Sequence, residues 1–153
     1  MLQAIVTGGQ TGVDRAALRA ARALGLRCGG WCPKGRRAED GQIPAEFCLA
    51  ETESSDYSLR TQLNVRDSDA TLVIARGVLD AGTQLTVEFA RSQAKPFLIA
   101  NIALEHSCAQ VANWLSRTPI QTLNIAGPRE SQAPDIGRLA DDWLRVLFAQ
   151  QYR

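Results

Sequence analysis

The stretch Leu2-Gln3-Ala4-Ile5-Val6-Thr7-Gly8-Gly9-Gln10-Thr11-Gly12-Val13-Asp14-Arg15 sets the reading of the whole chain. Its apolar opening, Leu2 to Thr7, reads as a strand that Gly8-Gly9 ends. The alanine-rich segment Val13 to Leu24, closed by Gly25, has the spacing of a helix. The alternation continues outward. A less distinct strand lies near Leu26 to Trp31, and the Gly/Pro-bearing stretch from Pro33 to Pro44 reads as a long surface loop, a length that usually serves function. Tyr57 to Arg66 reads as a helix, Ala70 to Ala75 as a strand, Thr83 to Ser92 as a helix and Phe97 to Ala100 as a strand. Ser107 to Leu115 is helical and Ile120 to Ala126 a strand. Ile136, Leu139, Ala140, Trp143, Leu144 and Leu147 share one face of a final helix, whose outer face carries Asp141, Asp142 and Arg145. The runs Thr71-Leu72-Val73-Ile74 and Phe97-Leu98-Ile99-Ala100 lack polar alternation, so the sheet is expected to be covered on both faces. The expected fold is α/β, a Rossmann-like three-layer α/β/α sandwich with a mostly parallel sheet of about five strands, residues 1–153 forming one ligand-binding domain.

Composition narrows the function classes. With 153 residues, 45% hydrophobic and 22% charged, the chain matches an average globular domain rather than a disordered, fibrous or membrane protein. Its net charge of +1 leaves no global field for a polyanion, so no nucleic-acid partner is expected, although a small anion needs only a local site. No run approaches the roughly 20 apolar residues of a membrane span, and no leader pattern precedes Leu2. A cytoplasmic location is expected, where Cys28, Cys32, Cys48 and Cys108 would stay reduced and pack as small hydrophobes. A metal site would need something closer to paired C-x-x-C than Cys28 and Cys32 offer.

In open parallel sheets ligands sit beyond the carboxyl ends of the strands, so the loops there carry the chemistry. After the first strand, Gly8, Gly9, Gln10, Thr11, Gly12, Asp14 and Arg15 combine glycines with a helix N-terminus, a pattern suited to an anion such as phosphate. The loop is neither G-x-G-x-x-G nor a nucleotide-triphosphatase loop. The plainer alternative is that Thr11 caps the helix with Asp14 reaching back, the glycines only making the turn. Gly82, Thr83 and Thr86 form a second such junction, where Thr83 as N-cap is the plain reading. Arg129 and Ser131 could supply charge and hydroxyl to the same edge. Tyr57, Arg60, Thr61 and Asn64 make a polar stripe that meets either water or the crevice wall, and Asp56 is placed to cap that helix. Trp31 is suited to stacking on a flat heterocycle or to ordinary packing, with Lys34 close behind it. Catalytic machinery is thin. His106, the only histidine, lies far from the glycine loops, and Asp14 and Glu88 show no dyad spacing. The residues alone point to a binder of a phosphorylated small molecule with no catalytic set.

Several blocks, in order, resemble the molybdenum cofactor carrier family, a branch of Rossmann-like proteins related to the LOG and lysine-decarboxylase-like proteins. They are Ile5 to Leu18, Gly30-Trp31-Cys32-Pro33-Lys34 through Gly41, Tyr57 to Thr61 with Asn64 to Asp69, Gly82-Thr83 with Thr86, and Ala126 to Ser131. The resemblance implies a carrier that binds the molybdenum cofactor, a phosphorylated molybdopterin whose metal is held by its own dithiolene, so no protein-ligated metal is expected. It also implies a homo-oligomer, a dimer or tetramer, with molybdoenzymes as recipients of the cofactor. The related LOG proteins cleave nucleoside monophosphates with an arginine and the glutamate of P-G-G-x-G-T-x-x-E. Here Thr86 stands three after Thr83, a departure that weighs against a phosphoribohydrolase, although Glu88 lies nearby. A nucleotide- or ADP-ribose-binding sensing module is the remaining alternative.

Overall fold

A computed structural model describes residues 1–151 of the chain. Its elements are β1 (Ala4–Val6), α1 (Val13–Ala23), β2 (Arg27–Gly29), β3 (Trp31–Cys32), β4 (Arg37–Ala38), β5 (Gly41–Gln42) and β6 (Ala50–Glu51), then α2 (Tyr57–Arg66), β7 (Ala70–Ala75), α3 (Ala81–Ser92), β8 (Phe97–Asn101), α4 (Ser107–Arg117), β9 (Thr122–Ala126) and α5 (Ile136–Gln151). The central sheet has five strands in the order β2-β1-β9-β7-β8, all paired in parallel. The expected α/β sandwich is therefore present.

Alternate residues of the strands separate the two faces. Ile5, Leu72, Ile74, Leu123 and Ile125 point into a core with α1, α4 and α5, where Val13, Ala16, Ala17 and Ala20 of α1 meet Ile136, Ala140 and Leu144 of α5. Alanine at three of these four positions of α1 lets the two helices approach closely, and each fully buried Leu or Ile contributes roughly 1.5–3 kcal/mol through area removed from water. On the other face α2 packs on α3, and the sheet presents polar residues: Asn124 of β9 donates to the Thr71 hydroxyl of β7 across 3.2 Å. One side of the sheet is thus a dry core and the other floors a cavity.

Two expectations need correction. The second strand does not run unbroken to Trp31. Gly30 (φ +123) turns the chain out of the sheet, and a Cβ there would sit 2.2 Å from the Thr7 carbonyl, so β3 leaves to pair with β6. The stretch from Pro33 to Pro44 is not a plain loop, because β4 and β5 form an antiparallel hairpin with Glu39-Asp40 as its turn. Short strands of two residues cannot hold such a hairpin alone. It is docked by side chains, foremost a two-bond contact of Arg15 with Asp40 at 2.5 and 2.8 Å.

Among the cysteines, Cys32 is buried and Cys28 and Cys108 are partly so, but Cys48 is exposed, contrary to its reading as a packed hydrophobe. No helix among the described residues is long and apolar enough to cross a membrane.

Candidate functional site

Where the strand order reverses direction, the carboxyl ends of β1 and β9 and the N-terminus of α3 enclose a cavity of about 480 Å³, the position favoured for ligands in open α/β sheets. Its floor is Asn124 to Gly127 of β9 and the turn after it, one wall is Tyr57, Arg60, Thr61 and Asn64 of α2, and another is Asp80 to Thr83 with Thr86. The polar stripe on α2 therefore faces the crevice rather than water.

The first glycine loop behaves differently from its sequence pattern. Thr11 does not cap α1: the N-cap is Gly12, which makes no side-chain cap bond. Asp14 does reach back, and its carboxylate accepts from the amide of Gln10 at 3.1 Å and from that of Gly8. The amide of Gly9 donates to Thr7 Oγ1, that of Thr11 to Gln10 Oε1 and that of Val13 to the Pro128 carbonyl. The loop thus encloses an anion already, the chain's own Asp14. Burial pushes the Asp14 carboxyl up to about 6, against the pull of Arg60, the two amides and Arg15. Arg60 Nη1 stands 3.7 Å from that carboxylate and donates to the Gly8 carbonyl at 2.8 Å. A Cβ on Gly8 would collide with the Arg60 guanidinium, so any other residue there would displace that side chain.

The second junction is more open. Asp80, not Thr83, caps α3, accepting from the Thr83 amide at 2.9 Å and its hydroxyl at 3.1 Å. Among the described residues the amides of Ala81 and Gly82 donate to no protein acceptor, and both residues line the cavity at the positive end of a helix of 12 residues. Arg60, stacked 5.2 Å from the Tyr57 ring centroid, and Arg129 line the same cavity.

Of the residues singled out in the sequence, Gly8, Gln10, Asp14, Arg60 and Asn64 line the cavity, as do Gly82, Thr83, Thr86 and Arg129. Asn64 is spent on the backbone, holding Trp31 through both its N–H and its carbonyl, and Thr86 donates to the Gly82 carbonyl. Seven others lie off the cavity lining. Gly9 packs against Ile43 and Leu49, and Gly12 presses against the Pro128 carbonyl. Arg15 is tied to Asp40 and to the Gly9 carbonyl. Trp31 hydrogen-bonds Asp67 through its indole N–H, so it is not placed to stack on a ligand in the cavity, and Lys34 is exposed. Thr11 and Ser131 both donate to Glu39.

Asp56 caps α2 as expected, accepting from Ser58, whereas His106 is exposed and makes no cap bond. Sequence reasoning missed Asp80 and Glu39. Asp80 had a signal, an Asp three residues ahead of a helical Thr. Glu39 had none, since its partners Thr11 and Ser131 lie 28 and 92 residues away in the chain. Among the described residues no group of three or more metal-ligating side chains is assembled.

The family model of the circularly permutated YpsA SLOG family matches residues 5–148. The chain belongs to this family. It is similar to the crystal structure of a "Putative molybdenum carrier protein" from Syntrophus aciditrophicus SB, with 43% sequence identity and a TM-score of 0.92 over 95% of this chain and 94% of the other. No curated protein matches it. The sequence blocks had pointed to this group of Rossmann-like proteins, and every block except Gly30 to Gly41 contributes residues to the cavity lining.

Proposed function

We propose that this SLOG protein binds a small phosphorylated ligand in the cavity and carries it without chemistry, and that the ligand is the molybdenum cofactor. The observation that carries the reading is that the amides of Ala81 and Gly82, which donate to no protein acceptor among the described residues, belong to residues lining the same cavity as Arg60. Amides at a helix N-terminus opposite a guanidinium are a site for a phosphate group. The phosphate end goes to α3 rather than to the first glycine loop, where Asp14 already takes the amides. A pterin would lie over the Asn124 to Gly127 floor with Tyr57 at its side. The similarity to a protein described as a molybdenum carrier supports this ligand class. Such a cofactor brings its own metal ligands, so the chain needs to supply none. We extend the reading to a cytoplasmic homo-oligomer that passes its cargo to molybdoenzymes.

A hydrolase reading has less support. Glu88 is exposed and off the cavity lining, and Thr86 stands in the place of the LOG glutamate. The carboxylates that do line the cavity, Asp14 and Asp80, are engaged with backbone amides. A nucleotide-binding sensor shares the phosphate contacts and differs in the base.

The test is to purify the protein from a cofactor-producing host, release bound material with acid and oxidise it. A fluorescent pterin near one per chain is expected. Arg129→Ala should lower retention about tenfold or more, the worth of a charge-assisted contact. Nucleotides without pterin in the extract would overturn the carrier reading in favour of a sensor.

A further inference from the structure

Outside the cavity, one polar cluster remains without a role. Glu39, at the tip of the β4–β5 hairpin, accepts short hydrogen bonds from the hydroxyls of Thr11 and Ser131, a third from the Ser131 amide at 3.2 Å, and lies 3.4 Å from Arg129 Nε. Two hydroxyls, an amide and a guanidinium, drawn from two segments far apart in sequence, converge on one carboxylate. That donor set is the one a phosphate oxyanion needs. Burial pushes the Glu39 carboxyl up, but the bonds from Ser131 and Thr11 and the Arg129 charge outweigh it and leave it below the ordinary glutamate range. The resident is therefore an anion at neutral pH.

The hairpin does not depend on this contact. Asp40 holds Arg15 through two bonds, and the Glu39 amide donates to Gln10 Oε1 at 2.9 Å. The Glu39 side chain is thus able to swing away while the hairpin stays docked. Arg129 both lines the cavity and pairs with Glu39, so the cluster adjoins the cavity.

We propose that Thr11, Arg129 and Ser131 form a second anion subsite beside the cavity, that Glu39 fills it until a ligand displaces it, and that the displacing ligand carries two linked anionic groups, as a diphosphate does. The proposal rests on the reading of the cavity as a phosphate site. It separates the ligand classes that reading leaves open: a simple monophosphate reaches only the α3 end, whereas a diphosphate-bridged one spans both positions and pushes Glu39 out.

Calorimetric titration with inorganic phosphate and with pyrophosphate, on the wild type and on Glu39→Gln, tests it. Removing the resident charge should raise the ratio of pyrophosphate to phosphate affinity about tenfold, the scale of one charge-assisted contact. Adding Thr11→Val and Ser131→Ala to Glu39→Gln should cancel the gain. If phosphate binds and the ratio does not move, or if the gain survives loss of both hydroxyls, the second subsite is wrong and the cavity reading stands. If neither anion binds either protein, both fall. A thermal melt confirms that each variant folds. Should Glu39→Gln fail to fold, Glu39→Ala, which removes the charge and both hydroxyl contacts, takes its place, and the same rise in ratio is required of it.

Discussion

Two strand-to-helix junctions in this molecule look alike in sequence and differ in what they leave open. At the first, Gly8 to Asp14, glycines precede a helix, yet Asp14, Thr7, Gln10 and Pro128 take up the amides that a ligand would use. At the second, Asp80 to Thr83, the capping carboxylate reaches only Thr83 and leaves Ala81 and Gly82 open to the cavity. A glycine-bearing turn at a helix N-terminus is an anion site only where the chain has not already supplied the anion. The first junction uses its glycines for close packing, and the second leaves the space beside its glycine open.

The sharpest break between the two comes from giving each a methyl group. Gly12 lies at φ +79 with ψ −126, and a Cβ there would meet the Pro128 carbonyl at 2.5 Å and the Glu130 amide at 2.9 Å. Gly12→Ala should therefore cost about 3 kcal/mol or more, read by denaturant unfolding, since neither the dihedral nor the backbone neighbours give way cheaply. A loss under 1 kcal/mol would mean the first junction is not packed as described.

The buried anion offers the next largest effect. The Asp14 carboxyl titrates near 6 in the folded protein against an ordinary value of 3.8. A group whose folded pKa is raised holds more protons folded than unfolded, so the stability it lends is complete only below the ordinary value of 3.8 and is lost as pH rises through 6. Relative to Asp14→Asn, which stays neutral, the wild type should lose about 2 kcal/mol between about pH 4 and 7. Equal pH profiles for the two proteins would show that Arg60 and the amides, not burial, govern this carboxyl.

The same contrast explains what could be read in advance. Ala70–Ala75 and Tyr57–Arg66 are found at their expected limits because an unbroken apolar run and an Asp-capped stripe are local signals. Arg60 and Asn64 were legible as crevice residues because i, i+4 spacing puts them on one helix face. Glu39 was not legible, since its role depends on a hairpin of two-residue strands and on partners far away in the chain. Nor was the saturation of the first loop, where the decisive acceptor, Asp14, reads equally well as a helix-capping acid. Local pattern reports which backbone groups are available in principle, and only tertiary contacts report which are taken.

The smallest effects belong to the second junction and sharpen the comparison most finely. Asp80→Ala removes the α3 cap and should cost about 1 kcal/mol, the usual worth of an Asp N-cap. Gly82 has no positive φ, and a Cβ there meets nothing nearer than Asp80 Oδ1 at 3.4 Å. Gly82→Ala should leave stability unchanged or raise it by up to about 1 kcal/mol, because alanine replaces glycine in the first turn of a helix. Binding should move the other way: the added methyl stands at the mouth of the two open amides and should weaken phosphate measured by calorimetry. A variant that is more stable and binds less tightly would mark Gly82 as kept for access to its amide. If instead Gly82→Ala binds phosphate as well as the wild type, the open amides are not the phosphate contact, and the difference between the two junctions is one of packing alone.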